Sequence, residues 1–290
     1  MINILITESG GPAAVGLIKS IRQLSYKVNI ISTDMNKLAV GNYLSDYYYK
    51  VPKASDSSYI DNILKIINKH NINILIPTGE NDLQIISKNK KLFEDLGCKL
   101  FISDFDAIKI CQNKFKFWKH LNGKFAMPNP LNGVFLNPDV GAGGRGTKKI
   151  EPSEGFHLWE FLPGKEYTVD VLCDMNSNII NHVIRERVAI KAGISVKGKI
   201  IYNSNISSVI KKLVKYLGLR GPLCIQFKEN ESGEPKLIEC NPRLGGGTYM
   251  CTLAGINYAE IYFNILKGIK NPKIKPKEIT VLRYFEEIVI

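Results

Sequence analysis

Glu239, Asn241 and Arg243 stand at alternate positions in LIECNPRLGGGTYM, residues 237–250, which then runs through Gly245, Gly246 and Gly247. Alternate residues of an extended strand project from one face. A carboxylate, an amide and a guanidinium would therefore share a surface, with Ile238 and Cys240 turned to a core. The strand before it, CIQFKEN, is joined to PKLIECN by a Ser-Gly turn, so Gln226 can lie across the hairpin from the same face. Carboxylate and amide oxygens are hard ligands suited to Mg²⁺, which takes few protein ligands and completes its octahedron with phosphate oxygens and water. Arg243 would neutralise charge developing on a transferred phosphoryl group. The glycines would let backbone amides approach a small anionic substrate. A polar strand face open to water accounts for any one of these features and poorly for all of them together.

Two earlier segments carry compatible chemistry. VFLNPDVGAGGRGTKKI, residues 134–150, reads as two short strands around a loop with Gly141, Gly143, Gly144 and Gly146. Backbone amides of such a loop can fold over phosphates, with Arg145 adding charge, although Gly-rich hairpins are also ordinary turns. In HLWEFLPGKEYTVDVLCD, residues 157–174, the apolar tract from Trp159 to Leu162 reads as an extended hinge whose backbone can hydrogen-bond a flat heterocycle. Glu166 and Asp170 then share a strand face; two acids so placed are usually solvated, but Glu166 facing a ligand could accept hydrogen bonds from sugar hydroxyls.

These residues need elements to hold them. The first hundred residues alternate strands (INILIT, KVNIISTD, INILI, KLFIS) with helical stretches (GLIKSIRQLSY, YIDNILKIINKHN, LQIISKNKKLFEDLG), which predicts a parallel, doubly wound sheet. Such sheets bind ligands beyond the carboxyl ends of their strands. That puts Glu8 to Gly16, Asp34 and Thr78 to Asp82 on one rim. The turn SGGPAAVG departs from the dinucleotide fingerprint G-x-G-x-x-G, and a strand-end Asp34 is more often a cap or turn former than a ribose ligand. Residues 103–130 read as one capped helix carrying Lys114, Phe117 and Leu121, with a Pro-marked exit. The final third reads as antiparallel strands. The expected fold class is thus α/β, becoming α+β in the C-terminal part.

Composition narrows the partners. Of 290 residues, 44% are hydrophobic and 23% charged, the balance of a globular chain. The net charge of +12 comes from lysines scattered along helix-like stretches. That pattern points to solvated helix faces and anionic small molecules, and away from nucleic acid. No apolar run suggests a membrane span or a secretory leader, so a cytoplasmic location is expected. The six cysteines lack C-x-x-C spacing and the four histidines lack metal-ligand spacing, so neither a zinc site, a disulfide framework nor a nucleophilic triad is indicated.

The order of these motifs resembles the ATP-grasp superfamily, in particular the branch of the carbamoyl phosphate synthetase large chain and related carboxylate-amine ligases. The resemblance runs from ILITESGGPAAVG, through GAGGRG and WEFLPGKEYTVDVL, to Gln226 and IECNPRLGGG and the closing LRYFEEIVI. It implies a Rossmann-like pre-ATP-grasp domain over 1–100, a lid subdomain over 101–160 and the C-terminal ATP-grasp domain over 161–290. It further implies that ATP phosphorylates a carboxylate and that an amine displaces phosphate from the acyl phosphate. Glu239, Asn241 and Gln226 would hold Mg²⁺, or Mn²⁺ in its place. Glu166 would bind ribose, and Glu160, Phe161 and Leu162 would meet adenine. Lys114, with the loop residues Gly143, Gly144 and Arg145, would approach the nucleotide phosphates. Arg243 and Arg187 would stabilise phosphate and acyl phosphate. Substrates would be a small carboxylate and a small amine. The rim residues Glu8 to Gly16 and Glu80 to Asp82, with Arg187, Lys191 and Gly245 to Thr248, would shape a pocket for an anionic group, and a homodimer would form through the N-terminal domain. Two departures stand out. Asn137 occupies a position where the family usually has lysine, and the segments Pro130 to Val134 and Ile150 to His157 are short. A shortened lid, or segments of the natural chain missing from the sequence, would explain both, and the first leaves a nucleotide-binding protein without turnover as the alternative reading.

Overall fold

The computed structural model describes residues 2–136 and 148–290. In chain order the first part runs β1 (Ile2–Ile6), α1 (Pro12–Arg22), β2 (Val28–Asp34), α2 (Val40–Leu44), β3 (Tyr47–Lys50), α3 (Tyr59–His70), β4 (Ile74–Ile76), α4 (Glu80–Lys88) and α5 (Lys90–Glu94). There follow α6 (Phe105–Cys111), α7 (Lys114–Leu121), β5 (Pro130–Leu131), β6 (Val134–Leu136), β7 (Lys148–Ile150) and β8 (Leu158–Trp159). The remainder is β9 (Glu166–Cys173), β10 (Ile179–Lys191), β11 (Ile194–Ile201), α8 (Ser204–Leu217), β12 (Gly221–Glu229), β13 (Pro235–Asn241), α9 (Tyr249–Leu253), α10 (Tyr258–Leu266) and β14 (Thr280–Leu282).

The helix-strand alternation yields a parallel sheet of order β3-β2-β1-β4, as the sequence predicts. Strands β1, β2 and β4 are largely buried on both faces, whereas β3 at the edge is largely exposed. Leu5, Ile31 and Leu75 pack with Ile63, Ile66 and Ile67 of α3, whereas Ile4, Ile6, Ile30, Ile74 and Ile76 pack with α1, α10 and the second sheet. The second sheet is antiparallel, of order β13-β12-β9-β10-β11-β14. One of its faces carries Val169, Val171, Ile225 and Phe227 against Ile206, Ile210, Leu213 and Val214 of α8. Helix α8 is started by the Asn203 side chain, which accepts from the Ile206 amide at 3.0 Å, and stopped by Gly218 in the left-handed region. The other face changes character along its length. Leu172, Val183 and Ile200 join the core shared with the parallel sheet, and beyond them the same face turns polar through Asp170, Arg185, Arg187 and Gln226.

Several expectations need correction. KLFIS forms only an isolated bridge, Ile74 to Lys99, while the short, largely exposed β3 is a strand that the hydrophobic pattern did not signal. LQIISKNKKLFEDLG is divided between α4 and α5 at Asn89. The helix read through residues 103–121 is broken at Gln112 and Asn113, because the Asn113 side chain caps a new helix by accepting from the Lys116 amide at 2.8 Å. The hairpin of β6 and β7 is present, but the loop between them lies outside the described residues. The expectations placed on Asn137, Gly143, Gly144 and Arg145 fall there.

Candidate active site

Strands β12 and β13 bring the expected oxygen ligands together. Gln226 sits opposite Glu239 and Cys224 opposite Asn241. Asn241 donates its side-chain amide to Glu239 Oε1 at 3.0 Å, and Lys114 at the start of α7 reaches Glu239 Oε2 at 3.2 Å. Ile238 does not face the core. Phe227 pairs with Leu237 and Gln226 with Glu239, so Ile238 is an unmatched extra residue, a β-bulge. The bulge turns Ile238 toward a ligand-sized cavity while leaving Leu237 and Cys240 fully buried.

The two arginines are found on separate sides of that cluster. Arg187 donates to Glu166, to Gln226 Oε1 at 3.2 Å and to the Gly193 carbonyl at 2.5 Å. Glu166 is thereby tied to Arg187 on the neighbouring strand. Arg243, past the end of β13, donates to the Leu244 carbonyl at 3.0 Å and pairs with Glu80 at the start of α4. That pair draws the rim of the parallel sheet onto the site. Glu8, Thr78, Glu80 and Asn81 line a cavity of about 590 Å³ together with Lys114, Gln226, Glu239, Asn241 and Arg243. Cys224 also borders it, but burial pushes its thiol up to about 12, so it remains protonated and is no nucleophile.

A second cavity of about 330 Å³ adjoins the first, and Lys114 lines both. Its walls are Trp118, Met127, Trp159, Phe161, Leu162 and Ile238, an apolar slot of the size that accepts a flat ring. Glu160 borders it with its carboxylate turned to Lys236 and to Asn129, whose amide and side chain donate at 3.0 and 2.8 Å. Burial opposes ionisation of Glu160, but the hydrogen bonds from Lys236 and Asn129 prevail and hold its carboxyl below the usual range. Its own N–H is taken by the Asn129 carbonyl at 2.9 Å.

Sequence reasoning missed the support beneath the site. Asp170, on the sequence pattern a strand-face acid, is 1% exposed and accepts from Arg185 Nε at 2.6 Å and from Thr248 Oγ1 at 2.9 Å. Burial works against the charge of Arg185, but Asp170 more than offsets it and moves the guanidinium pKa up. The signal was legible in RER, residues 185–187, which sets Arg185 and Arg187 on one face of β10. This pair also corrects the reading of the glycines. A Cβ at Gly247 would lie 2.5 Å from Arg185 Nη1, and one at Gly245 2.8 Å from Cys224 Sγ, so glycine is required there by internal packing. Of the three, Gly246 borders the larger cavity.

Comparison with known proteins places this geometry. Residues 153–288 match the family model described as ATP-grasp in the biosynthetic pathway with Ter operon, and residues 4–101 match that of the PylC-like N-terminal domain. Residues 153–288 thus form an ATP-grasp domain. Solved structures with the ATP-grasp fold include a biotin carboxylase from Campylobacter jejuni in complex with beta-gamma-ATP, at 16% identity and a TM-score of 0.66, covering 93% of this chain and 72% of that one. A biotin carboxylase domain dimer of 2-oxoglutarate carboxylase from Hydrogenobacter thermophilus, complexed with MgADP, ADP and bicarbonate, is 15% identical with a TM-score of 0.65, covering 96% and 72%. An L-amino acid ligase from Bacillus licheniformis is 14% identical with a TM-score of 0.62, covering 92% and 74%. No curated protein matches the sequence. Among the described residues, no helix is long and apolar enough to cross a membrane.

The donor set of the ATP-grasp domain suits a magnesium–nucleotide complex better than a free metal ion. One carboxylate and two side-chain amides meet at the β12–β13 end, and among the described residues no three His, Cys, Asp or Glu groups could hold an ion by themselves. Mg²⁺ is content with one or two carboxylates when phosphate oxygens complete its shell.

Proposed function

We propose that the chain is an ATP- and Mg²⁺-dependent ligase that activates a carboxylate as an acyl phosphate for attack by an amine. The observation that carries this reading is that Lys114 lines both the apolar slot and the polar cavity holding Glu239, Asn241, Gln226 and Arg243. A nucleotide with its base in the slot would lay its phosphates beside Lys114 and the oxygen ligands. When bound, Mg²⁺ supplies positive charge to the β- and γ-phosphate oxygens. Glu239, Asn241 and Gln226 would hold it, with Mn²⁺ a workable substitute. Glu239 would exchange Lys114 for the metal, freeing the ammonium for phosphate. Phe161 and Leu162, with the Glu160 carbonyl, would meet the base; Glu166, which Arg187 holds in place, would accept from ribose. In the first step a substrate carboxylate oxygen bonds to the γ-phosphorus, the bond to the β-bridging oxygen breaks and ADP leaves. In the second the amine nitrogen attacks the acyl carbon, loses its proton and expels phosphate. Arg243 and Arg187 would offset the charge on the transferred group. No covalent enzyme intermediate is needed, and catalysis rests on positioning.

A pre-ATP-grasp unit over 1–100, a lid over 101–160 and an ATP-grasp unit over 161–290 belong to the same proposal, as does a homodimer, which size-exclusion chromatography with light scattering would register. Asn137, standing where the family usually has lysine, favours one alternative: ATP binding without turnover. Calorimetric titration of ATP with and without Mg²⁺ tests the site, on the wild type and on the Glu239→Ala, Asn241→Ala double variant. Binding that needs Mg²⁺ and fails in the variant is expected. Metal-independent binding, or none, refutes the assignment. ADP release stimulated by a carboxylate and amine pair supports the ligase, and its absence across a broad panel supports the alternative.

A further inference from the structure

Strands β10 and β11 are joined by Ala192 and Gly193 alone, both in the left-handed region at φ 48° and 75°, the arrangement of a two-residue hairpin turn. Glycine takes that conformation freely, whereas Ala192 is held there at a cost of about 1–3 kcal/mol. The strand leading into the turn slips register between Arg187 and Ala189 and again between Ala189 and Ile190, so the hairpin bends as it leaves the sheet. Little packing supports the bent end, since Val188 and residues 190–193 are exposed. It nevertheless borders the polar cavity through Gly193 and Ile194.

One side chain ties this end of the hairpin to the site. Arg187, its side chain 6% exposed, gives Nη2 to the Gly193 carbonyl at 2.5 Å and Nη1 both to Glu166 and, at 3.2 Å, to Gln226 Oε1. Among the described residues no other side chain hydrogen-bonds the backbone of residues 188–194; the remaining tether is the Lys191 ammonium, 5.2 Å over the Phe285 ring. Arg187 Nε is buried without a partner among the described residues, so the guanidinium is not fully satisfied where it stands. Its three acceptors have unequal fates under the ligase reading. Gln226 Oε1 would turn to Mg²⁺, whose charge repels a neighbouring guanidinium, and Glu166 would divide itself with the ribose hydroxyls. The Gly193 carbonyl is claimed by neither.

We propose that Arg187 is a positioning residue that passes the arrival of Mg²⁺ and nucleotide to the β10–β11 hairpin: turned away from Gln226, it holds the Gly193 carbonyl more firmly and settles residues 188–194 over the polar cavity. The inference rests on the ligase reading and adds a closing element to the same site. An end with few other contacts moves at small cost, and covering the cavity keeps water from the acyl phosphate.

The test is hydrogen exchange of peptides spanning residues 188–197, read by mass spectrometry without ligand, with ATP and EDTA, and with Mg²⁺ and ATP. In the wild type Mg²⁺ and ATP together should slow exchange there by about tenfold, the order of one charge-assisted hydrogen bond, and ATP with EDTA should not. Arg187→Met should exchange faster than the wild type without ligand, and Mg²⁺ and ATP at concentrations that saturate the variant should leave its rate within about twofold. Arg187→Lys, whose single ammonium cannot hold Gly193 together with Glu166 and Gln226, should be slowed by about threefold at most, and it decides the matter where Arg187→Met loses ATP. Wild-type exchange in β1 and α8 certifies the fold of either variant. A hairpin that is only a fixed part of the fold would exchange faster in the variants and show no ligand effect in the wild type. That outcome overturns the proposal, as does slowing of wild-type size in either variant or equal slowing by ATP with EDTA. Should ATP fail to bind the wild type, the ligase reading falls and this inference with it; should ATP bind with Mg²⁺ and leave the hairpin unchanged, only this inference falls.

Discussion

Replacing Gly247 by alanine should destabilise the protein through Arg185. The added carbon would stand 2.5 Å from Nη1, 2.7 Å from Cζ and 2.9 Å from Nη2 of a guanidinium that is 2% exposed. Arg185 has nowhere to withdraw without lengthening its 2.6 Å bond to Asp170, itself 1% exposed. If the group shifts and keeps its partner, the cost is that of overpacking, about 1–3 kcal/mol. If the pair opens, an uncompensated buried charge raises it to about 3–5 kcal/mol. The expected loss is therefore roughly 1–5 kcal/mol, up to a large share of the stability of an ordinary domain. Urea unfolding followed by far-ultraviolet circular dichroism reads it. The same substitution in an Arg185→Lys background should cost less than half as much, because the slimmer ammonium leaves the space that the planar guanidinium fills. A loss below about 0.5 kcal/mol in the native background, or equal losses in both, would refute the claim that Arg185 is why residue 247 is glycine.

Asp82→Asn should remove a pH dependence of stability. Because the folded-state carboxyl is pushed up to about 7, the folded protein binds a proton that the unfolded chain releases near its ordinary value. The contribution is thus fullest below about pH 4 and fades as pH rises toward about 7, by at most about 4 kcal/mol. Urea midpoints at about pH 5 and pH 8 should fall more steeply for the wild type than for the variant, and parallel profiles would contradict this. Lys114→Met should weaken Mg²⁺–ATP binding by about tenfold while strengthening Mn²⁺ binding without nucleotide, since Lys114, 3.2 Å from Glu239 Oε2, would compete with a metal at the proposed site. Titration of each ligand checks the pair of outcomes, and weakened Mn²⁺ binding would refute the exchange.

How far the fold and the site can be read from residues alone depends on the range of the interaction. The parallel sheet follows from alternating periodicities, and Glu239 with Asn241 follows from period two within a strand, both local patterns. Ile238 escapes the same rule because a bulge belongs to the pairing of two strands, and neither strand alone records it. Strand β3 escapes because its residues are mostly exposed and its pairing with β2 carries it. The break before α7 was within reach, since Asn113 is a favoured capping residue, but an uninterrupted run of lysines and aromatics masked it. Asp170 is misjudged for a different reason: acids on a strand are usually solvated, and only the sheet's coverage by α9 and the glycine loop reverses that.

The distribution of charge around the shared rim argues for a division of labour between the two sheets. Cations (Lys114, Arg187 and Arg243) gather where the antiparallel sheet ends, on the side of the oxygen ligands and the apolar slot. Carboxylates without cationic partners among the described residues (Glu8, Asp34 and Asp82) gather around a cavity of about 610 Å³ where the parallel sheet ends. A single pocket of mixed sign would hold a nucleotide and an amine equally badly, since each would meet repulsion as well as attraction. The separation is partial, because Glu8, Glu80 and Glu239 also border the cationic cavity, and under the proposed function it would favour approach of an anionic nucleotide from the side of the antiparallel sheet; Glu8 lies where the two cavities meet. Arg243 faces Glu80 across the same boundary. Loosening that pair would therefore be felt in both cavities, whereas Asp34 borders only the acidic one of the two.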